Sequence, residues 1–234
     1  MAYLADYDTQ NDAIWAEYKE KYKPVYTNST PGERSTLIID GAVNPEKYKG
    51  ILFLLKEAYT DEKEKPETWD ICSWLNENVR YSLWNRVAEW TYGICNTTAD
   101  AIPRYSELTQ PEKLAAIQSI GLVNIKKVRG KKDSEKADLL SYAKENKALL
   151  RREIESLQPR VIVCGYTGSY LGEIFDCSYN KGKNRSDNLY YHVDLSPALN
   201  SITVLDYYHP AAPYPAIMSY YGITGIYQQS LKDV

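Results

Sequence analysis

The stretch GILFLLKEAYTD, residues 50–61, contains the clearest strand signal of the chain. Its apolar run, Ile51–Leu55, begins just after a glycine and has the length typical of a strand buried on both faces. Charged and polar residues follow the run without a spacer. Because open α/β folds bind ligands at the carboxyl ends of their strands, Lys56 and Glu57 are candidates for a binding site. The alternative is that they only mark the point where the strand reaches solvent.

Three further buried strands are predicted downstream, at Ile120–Ile125, Val161–Cys164 and Ile202–Leu205. Segments with helical periodicity separate them, which favours a parallel sheet covered on both faces. We therefore predict an α/β fold, a three-layer α/β/α sandwich with a central four-stranded parallel sheet. The chain shows no internal repeat and no linker, so residues 1–234 are expected to form a single domain.

Helix boundaries are marked by local signals. A first helix is predicted with a capping box at Thr9 and a stop before Pro24, and another begins at Thr109, where Glu112 completes a capping box. A long amphipathic helix is predicted from about Ser134 to Leu157, and a shorter one over Gly168–Phe175.

Composition narrows the class of protein. Of 234 residues, 44% are hydrophobic, which is enough for a sizeable core, and tyrosines outnumber phenylalanines by 22 to 2. The chain contains neither an apolar stretch of membrane-spanning length nor a signal-peptide pattern, so we expect a cytoplasmic protein with no membrane contact. We also expect a monomer. The four cysteines form no C-x-x-C pair, so neither a metal site nor an iron–sulfur cluster is expected.

Polar residues at three strand ends form the candidate site. Glu57 follows the first strand, Asn124 lies in the second, and the fourth leads to His209, one of only 2 histidines. A carboxylate, an amide and an imidazole at one sheet edge are a plausible catalytic set. The alternative for His209 is that it is simply packed or solvated.

Three motifs in order resemble those of the uracil-DNA glycosylase superfamily. KEAYT, residues 56–60, resembles the Gly-Glu-Ala-Pro-Gly motif of one branch, and LVNIKK, residues 122–127, resembles the strand whose asparagine reads the flipped base. YYHPAAPYP, residues 207–215, resembles the His-Pro-Ser motif and the loop that enters DNA. The resemblance implies a four-stranded parallel sheet between helices, with the active cleft at the carboxyl ends of the strands.

The resemblance assigns roles to the three polar residues. Glu57 would position water or stabilise the sugar cation, Asn124 would read the pyrimidine edge, and His209 would hydrogen-bond the carbonyl oxygen of the departing base. This sequence departs from the motifs: Ala58 stands where some branches have an aspartate or asparagine, and Ala211 replaces the serine after His-Pro.

Further residues would contact the base or the DNA. The remaining base-contact candidates are Ala58, Tyr59 and Thr60, and either Trp69 or Trp74 would stack on the base unless both belong to the core. Tyr214 is the candidate wedge for the gap that a flipped base leaves in the duplex.

The net charge of -3 requires a local basic patch for DNA binding. Two basic runs are candidates for it, the alternative being ordinary solvated loops; their residues are Lys126, Lys127 and Arg129, and Lys181, Lys183 and Arg185.

The sequence therefore predicts a monofunctional DNA glycosylase that flips out a pyrimidine and needs no metal or redox cofactor. Uracil-specific relatives have a tyrosine where this chain has Thr60, so we expect open space beside carbon 5 of the base. The expected target is a 5-substituted pyrimidine of modified phage DNA, which implies antiviral defence. The alternatives are an ordinary uracil-DNA glycosylase of base-excision repair, with Tyr59 filling the space, and a non-catalytic nucleic-acid-binding module on the same fold.

Overall fold

The computed structural model describes residues 4, 6–28, 36–59, 67–77, 79–130, 134–178 and 189–233, with the backbone alone at 24–28 and 107. Four residues that the sequence proposes for the site lie outside these ranges, namely Thr60, Lys181, Lys183 and Arg185.

The described chain alternates between helices and strands. The helices are α1 Tyr7–Asn28, α2 Ile71–Glu77, α3 Tyr81–Asn96, α4 Gln110–Ile117, α5 Lys136–Glu145, α6 Lys147–Ser156, α7 Gly168–Phe175 and α8 Ala216–Lys232. The strands are β1 Leu37–Ile39, β2 Gly41–Ala42, β3 Ile51–Glu57, β4 Thr68–Asp70, β5 Ile120–Lys126, β6 Val161–Gly165, β7 Tyr190–Val193 and β8 Ile202–Tyr207. Two 3₁₀ turns cover Pro45–Lys47 and Tyr105–Glu107. None of the helices in the described ranges is both long and apolar enough to cross a membrane.

The main sheet has six strands in the order β2-β5-β3-β6-β8-β7. Its four inner strands, β5, β3, β6 and β8, are parallel to one another and are the four strands predicted from the sequence. The edge strands β2 and β7 are antiparallel to their neighbours, so the sheet is mixed. The α/β class is confirmed, whereas the expected four strands are only part of a larger sheet. β1 and β4 form a separate parallel pair.

Helices pack on both faces of the sheet, which explains why the inner strands are apolar throughout. Along β3, Phe53 and Leu55 belong to the core shared with α2, α3, α4 and α8. Leu52 and Leu54 point the other way, into the core shared with α5, α6 and α7. Truncating a fully buried leucine of this kind to alanine typically costs about 2–5 kcal/mol.

Two helices have boundaries that differ from those predicted from the sequence. The helix predicted from Ser134 to Leu157 is two helices, α5 and α6, that meet at Asn146. The side chain of Asn146 is buried, where it accepts a hydrogen bond from Lys21 Nζ at 2.7 Å and donates one to the Tyr22 hydroxyl at 2.8 Å. This junction therefore ties α1 to the second half of the chain.

The predicted start and stop of the first helix were wrong. α1 begins at Tyr7, so Thr9 lies inside the helix rather than at its cap, and the helix continues through Pro24 to Asn28. By contrast, Thr109 and Glu112 form the predicted capping box at the start of α4. α7 has the predicted bounds.

Candidate active site at the carboxyl edge of the sheet

Glu57 is the last residue of β3, and its side chain is buried beside the neighbouring strand β5. Its register partner there is Lys126, whose Nζ lies 3.4 Å from Glu57 Oε2. The same ammonium lies 2.7 Å from Asp138 Oδ2 and 4.9 Å from the ring centre of Tyr142. Burial alone would lower the pKa of Lys126, but its acidic neighbours raise it overall. Lys126 is thus an internal partner of Glu57 rather than an exposed phosphate contact.

The segment after β5 closes over Glu57. The backbone N–H of Gly130 donates to the carbonyl of Ala58 at 2.8 Å. A Cβ atom on Gly130 would lie 2.4 Å from Glu57 Cδ, so only glycine fits against the carboxylate in this arrangement. Ala58 itself is buried in the core, and its side chain therefore does not line an open pocket.

His209 follows β8 and is largely buried. The backbone N–H of Ala211 donates to His209 Nδ1 at 3.2 Å, so in the neutral imidazole the proton resides on Nε2. Burial, and then the charge of Lys56, lower the pKa of His209 to about 4. At neutral pH the ring is therefore uncharged and can donate one hydrogen bond through Nε2.

Glu57 and His209 lie at the same edge of the sheet, on either side of the end of β6. β6 lies between β3 and β8, and it ends at Gly165. A Cβ atom on Gly165 would lie 2.7 Å from Leu55 Cδ2 and 3.7 Å from His209 Cδ2. His209 therefore packs close to the end of β6, while Glu57 is turned toward β5. The two residues thus lie at one edge of the sheet but contact different neighbours, so their convergence on one cleft stays a prediction.

Asn124, the predicted base reader, has a different environment. It is buried in β5, and both its backbone N–H and its side-chain Nδ2 donate to Asp40 Oδ2, at 2.7 Å and 2.8 Å. Asp40 is the single residue between β1 and β2, and β2 is the edge strand that pairs with β5. One N–H of the Asn124 amide therefore donates to Asp40, which leaves the second N–H and Oδ1 of this buried side chain to read a base.

The predicted DNA contact of Lys127 is wrong. The residue is 0% exposed, and its Nζ lies 2.6 Å from Asp40 Oδ1 and 2.8 Å from Glu153 Oε1. Burial alone would lower the pKa of Lys127, but the two carboxylates raise it overall. Burial raises the pKa of Glu153 well above its usual value, an effect that Lys127 partly opposes. We call Asp40, Lys127 and Glu153 the buried charge cluster.

The two tryptophans after the first motif belong to an aromatic cluster at the edge of the core. Trp69 lies on β4 and Trp74 on α2, with ring centres 6.1 Å apart, and the ring of Trp74 stacks on Tyr81 at 6.0 Å. Both tryptophans are half-buried and pack against the core on that face of the sheet. This placement favours the core-packing alternative over a base-stacking role.

Four exposed tyrosines follow three of the parallel strands, and we call them the tyrosine rim: Tyr59, Tyr166, Tyr208 and Tyr214. Arg129 lies 5.6 Å from the ring centre of Tyr59, and Lys56 lies 5.5 Å from that of Tyr166. The rings of Tyr208 and Tyr214 are 4.9 Å apart. Sequence reasoning missed Tyr166 and Tyr208 because a tyrosine next to a buried strand is equally compatible with the core.

Arg86 of α3 holds the loop that follows His209. Its Nη1 donates to the carbonyl of Ala212 at 2.5 Å, and its Nη2 donates to that of Tyr214 at 2.8 Å. The sequence offers no signal for this contact, since the partners are carbonyl groups more than a hundred residues away. Arg86 thereby fixes the segment that carries the candidate wedge.

Within the described part of the chain, no group of three His, Cys, Asp or Glu side chains is placed to hold a metal ion. No protein-family model, curated protein or solved structure matches this chain.

Proposed function

We propose that the protein is a monofunctional DNA glycosylase, which removes a flipped-out pyrimidine from DNA and leaves an abasic site. The observation that supports it best is the placement of Glu57 and His209 on either side of the β6 end, at the carboxyl edge of four parallel strands. We further propose that these four strands and the helices on both faces correspond to the uracil-DNA glycosylase core. The motifs in residues 56–60, 122–127 and 207–215 support this correspondence.

The reaction requires two kinds of stabilisation. The bond between C1′ and the base nitrogen breaks, and the base takes the bonding electrons while the sugar becomes cationic. Glu57 supplies a carboxylate that stabilises this cation or orients the water whose oxygen then bonds to C1′ and whose proton is released. Lys126 and Gly130 hold the Glu57 side chain in place for this role.

His209 would act on the departing base. A neutral imidazole with its proton on Nε2 can donate to the pyrimidine carbonyl oxygen as negative charge develops there. The depressed pKa of His209 supports this role, because the ring is uncharged before the reaction and no protonation step is needed. Removing one such donor typically lowers the rate by about 10²–10³-fold.

We propose a 5-substituted pyrimidine, such as a modified phage-type cytosine, as the preferred base. The proposal rests on the sequence, in which Thr60 replaces the tyrosine of uracil-specific relatives. A role in antiviral defence would follow from such a substrate. Ordinary uracil removal is the competing reading, in which Tyr59 fills the space beside carbon 5.

A non-catalytic nucleic-acid-binding module is the second candidate, and two contacts favour it. The amide nitrogen of Asn124 is bound by Asp40, and Glu57 is paired with Lys126. A site whose polar groups are engaged inside the protein is less available to a substrate, as expected of a binding module that has lost its activity. Only a catalytic assay separates the two functions.

The deciding experiment is abasic-site formation on a panel of oligonucleotides that carry uracil, cytosine or 5-substituted cytosines. We expect base release by the wild-type protein from at least one 5-substituted substrate, and a loss of about 10²-fold or more in Glu57→Gln. Glu173→Gln is the matched control, since this glutamate lies on α7 outside the site. Absence of release from every substrate would refute the enzyme and leave the binding module. Equal rates for wild type and Glu57→Gln would refute the role of Glu57.

A further inference from the structure

We infer that the tyrosine rim binds single-stranded DNA, so that the natural substrate presents its target base among unpaired nucleotides. The inference rests on the proposed function for the identity of the substrate. Its physical basis is independent of catalysis, because it concerns the exposed rings and cations at the carboxyl edge of the sheet.

Tyr166 is the most informative member of the rim. It follows the last residue of β6, between the strand ends that carry Glu57 and His209, and it is 51% exposed. Its φ of 63° lies in the left-handed region, which bulky side chains rarely adopt. The backbone is held there by its N–H, which donates to the carbonyls of Cys164 at 2.8 Å and Tyr207 at 2.9 Å. A strained backbone that presents an exposed ring beside the candidate catalytic residues indicates a function for the ring.

The rim pairs aromatic faces with cations. Lys56 lies over Tyr166 and Arg129 over Tyr59, in each case at cation–π distance. Proteins that bind single strands combine these two elements, because bases stack on the rings while cations attract the phosphates. Tyr59, Tyr166 and the Tyr208–Tyr214 pair follow three different strands, so stacking positions are distributed along the edge.

The charges of the described residues favour a single strand over a duplex. Duplex binding draws most of its affinity from phosphate contacts made by lysine and arginine. The basic run after β5 provides fewer of them than its sequence suggests, because Lys126 and Lys127 are engaged by internal carboxylates. Stacking on the rim requires open base faces, which a duplex hides and a single strand offers.

The test is a binding measurement on unmodified DNA, so it does not depend on catalysis. Fluorescence anisotropy would compare the full chain on an oligothymidine of about 12 nucleotides, on the same strand in a duplex, and on an abasic strand of equal length. We expect the single strand to bind about tenfold more tightly than either of the other two. Equal affinity for the abasic strand would overturn the inference, because it would show that only phosphates are bound. Tighter binding of the duplex, or of an RNA of the same sequence, would also overturn it.

Variants at Tyr166 distinguish an effect of the ring on DNA binding from an effect on the stability of the fold. Tyr166→Leu should weaken single-strand binding by roughly 5- to 150-fold, the effect of losing one stacked base, whereas Tyr166→Phe should bind like the wild type. Tyr166→Gly suits the left-handed backbone, so its melting temperature should be unchanged or higher while binding falls. Wild-type affinity in both Tyr166→Leu and Tyr166→Gly would refute the stacking role. If base release is absent from all substrates but these binding effects appear, the proposed enzyme fails and the single-strand site stands.

Discussion

Gly130 lies so close to Glu57 that a Cβ atom at this glycine would be 2.4 Å from the carboxylate carbon. The contact joins the candidate catalytic residue at the end of β3 to the segment that follows β5. Since the conflict involves the Glu57 side chain from Cγ to Oε2 and not the backbone, an added methyl group displaces the carboxylate and disturbs its pairing with Lys126. This relationship allows the position of Glu57 to be changed without changing its chemistry.

We therefore predict that Gly130→Ala lowers base release strongly and stability more modestly, with the fold retained. The φ of Gly130 lies outside the left-handed region, so alanine causes no backbone strain there. A carboxylate moved by about 1 Å should lose on the order of 10²-fold in rate. Single-turnover kinetics and thermal unfolding would be measured together. A wild-type rate in Gly130→Ala would show that the observed position of Glu57 is not the one that matters for catalysis.

Acid should destabilise the protein through His209. Its pKa is about 4 in the folded state, against an ordinary value of 6.5, so the unfolded chain binds more protons between these values. The contribution of His209 to the unfolding free energy is therefore fully present above pH 6.5 and is lost as the pH falls toward 4. The full difference amounts to about 3 kcal/mol.

The measurement is urea unfolding of the wild type and of His209→Gln at several pH values. Between pH 7 and pH 4 the unfolding free energy of the wild type should fall by about 3 kcal/mol more than that of the variant, because the contributions of the other titrating groups are the same in both proteins. Parallel pH profiles for the two proteins would contradict the burial of a neutral His209.

Substitutions of Lys127 and Arg129 should have opposite effects, the first on stability and the second on DNA binding, although only one residue separates them. Lys127→Met leaves the carboxylates of Asp40 and Glu153 buried without their cation, which should cost about 3–5 kcal/mol of unfolding free energy. Arg129→Gln should leave stability intact and weaken DNA binding, because Arg129 lies beside the exposed ring of Tyr59.

Salt dependence provides the check on Arg129. If it contacts one phosphate, the slope of log affinity against log salt should flatten by about 0.7 for a single strand in Arg129→Gln. An unchanged slope in Arg129→Gln would refute its phosphate contact, and a fully stable Lys127→Met protein would contradict the role of the buried ion pairs of Lys127.

The sequence predicted the inner sheet well because apolar runs report burial on both faces directly. Ile51–Leu55 and the three later runs are the four parallel strands, and strand ends then place Glu57 and His209 at one edge without any side-chain detail. The edge strand β2 was not predicted, because its two residues are too few to show the periodicity of a strand.

Contacts between residues that are distant in sequence could not be predicted from such patterns. The run that begins at Lys126 resembles a solvated loop, yet the pairing of Leu37 with Val128 continues the sheet edge and carries Lys127 into the interior. Its carboxylate partners, Asp40 and Glu153, lie in separate parts of the chain. Burial of a lysine therefore depends on the three-dimensional arrangement rather than on local composition.

Arg86 leads to the last prediction, which concerns the loop after His209. Its two guanidinium nitrogens hold the carbonyls of Ala212 and Tyr214, and only the planar fork of arginine can hold both in this geometry. Arg86→Lys keeps the charge but should release one carbonyl, which loosens the segment that carries Tyr214. A hydrogen bond from a charged group contributes about 1.5–3 kcal/mol, so we expect base release to fall about tenfold or more.

A positioning role for Arg86 has a specific kinetic signature. kcat should fall while KM changes little, because the loop is misplaced in the reacting complex rather than absent, and limited proteolysis should cut it faster. Arg104→Lys, which changes an exposed arginine before α4 in the same way, is the matched control and should behave like the wild type. If Arg86→Lys retains full kcat while the loop is cleaved faster, the order of this loop does not contribute to base release, and a role for Tyr214 in positioning the DNA loses its structural support.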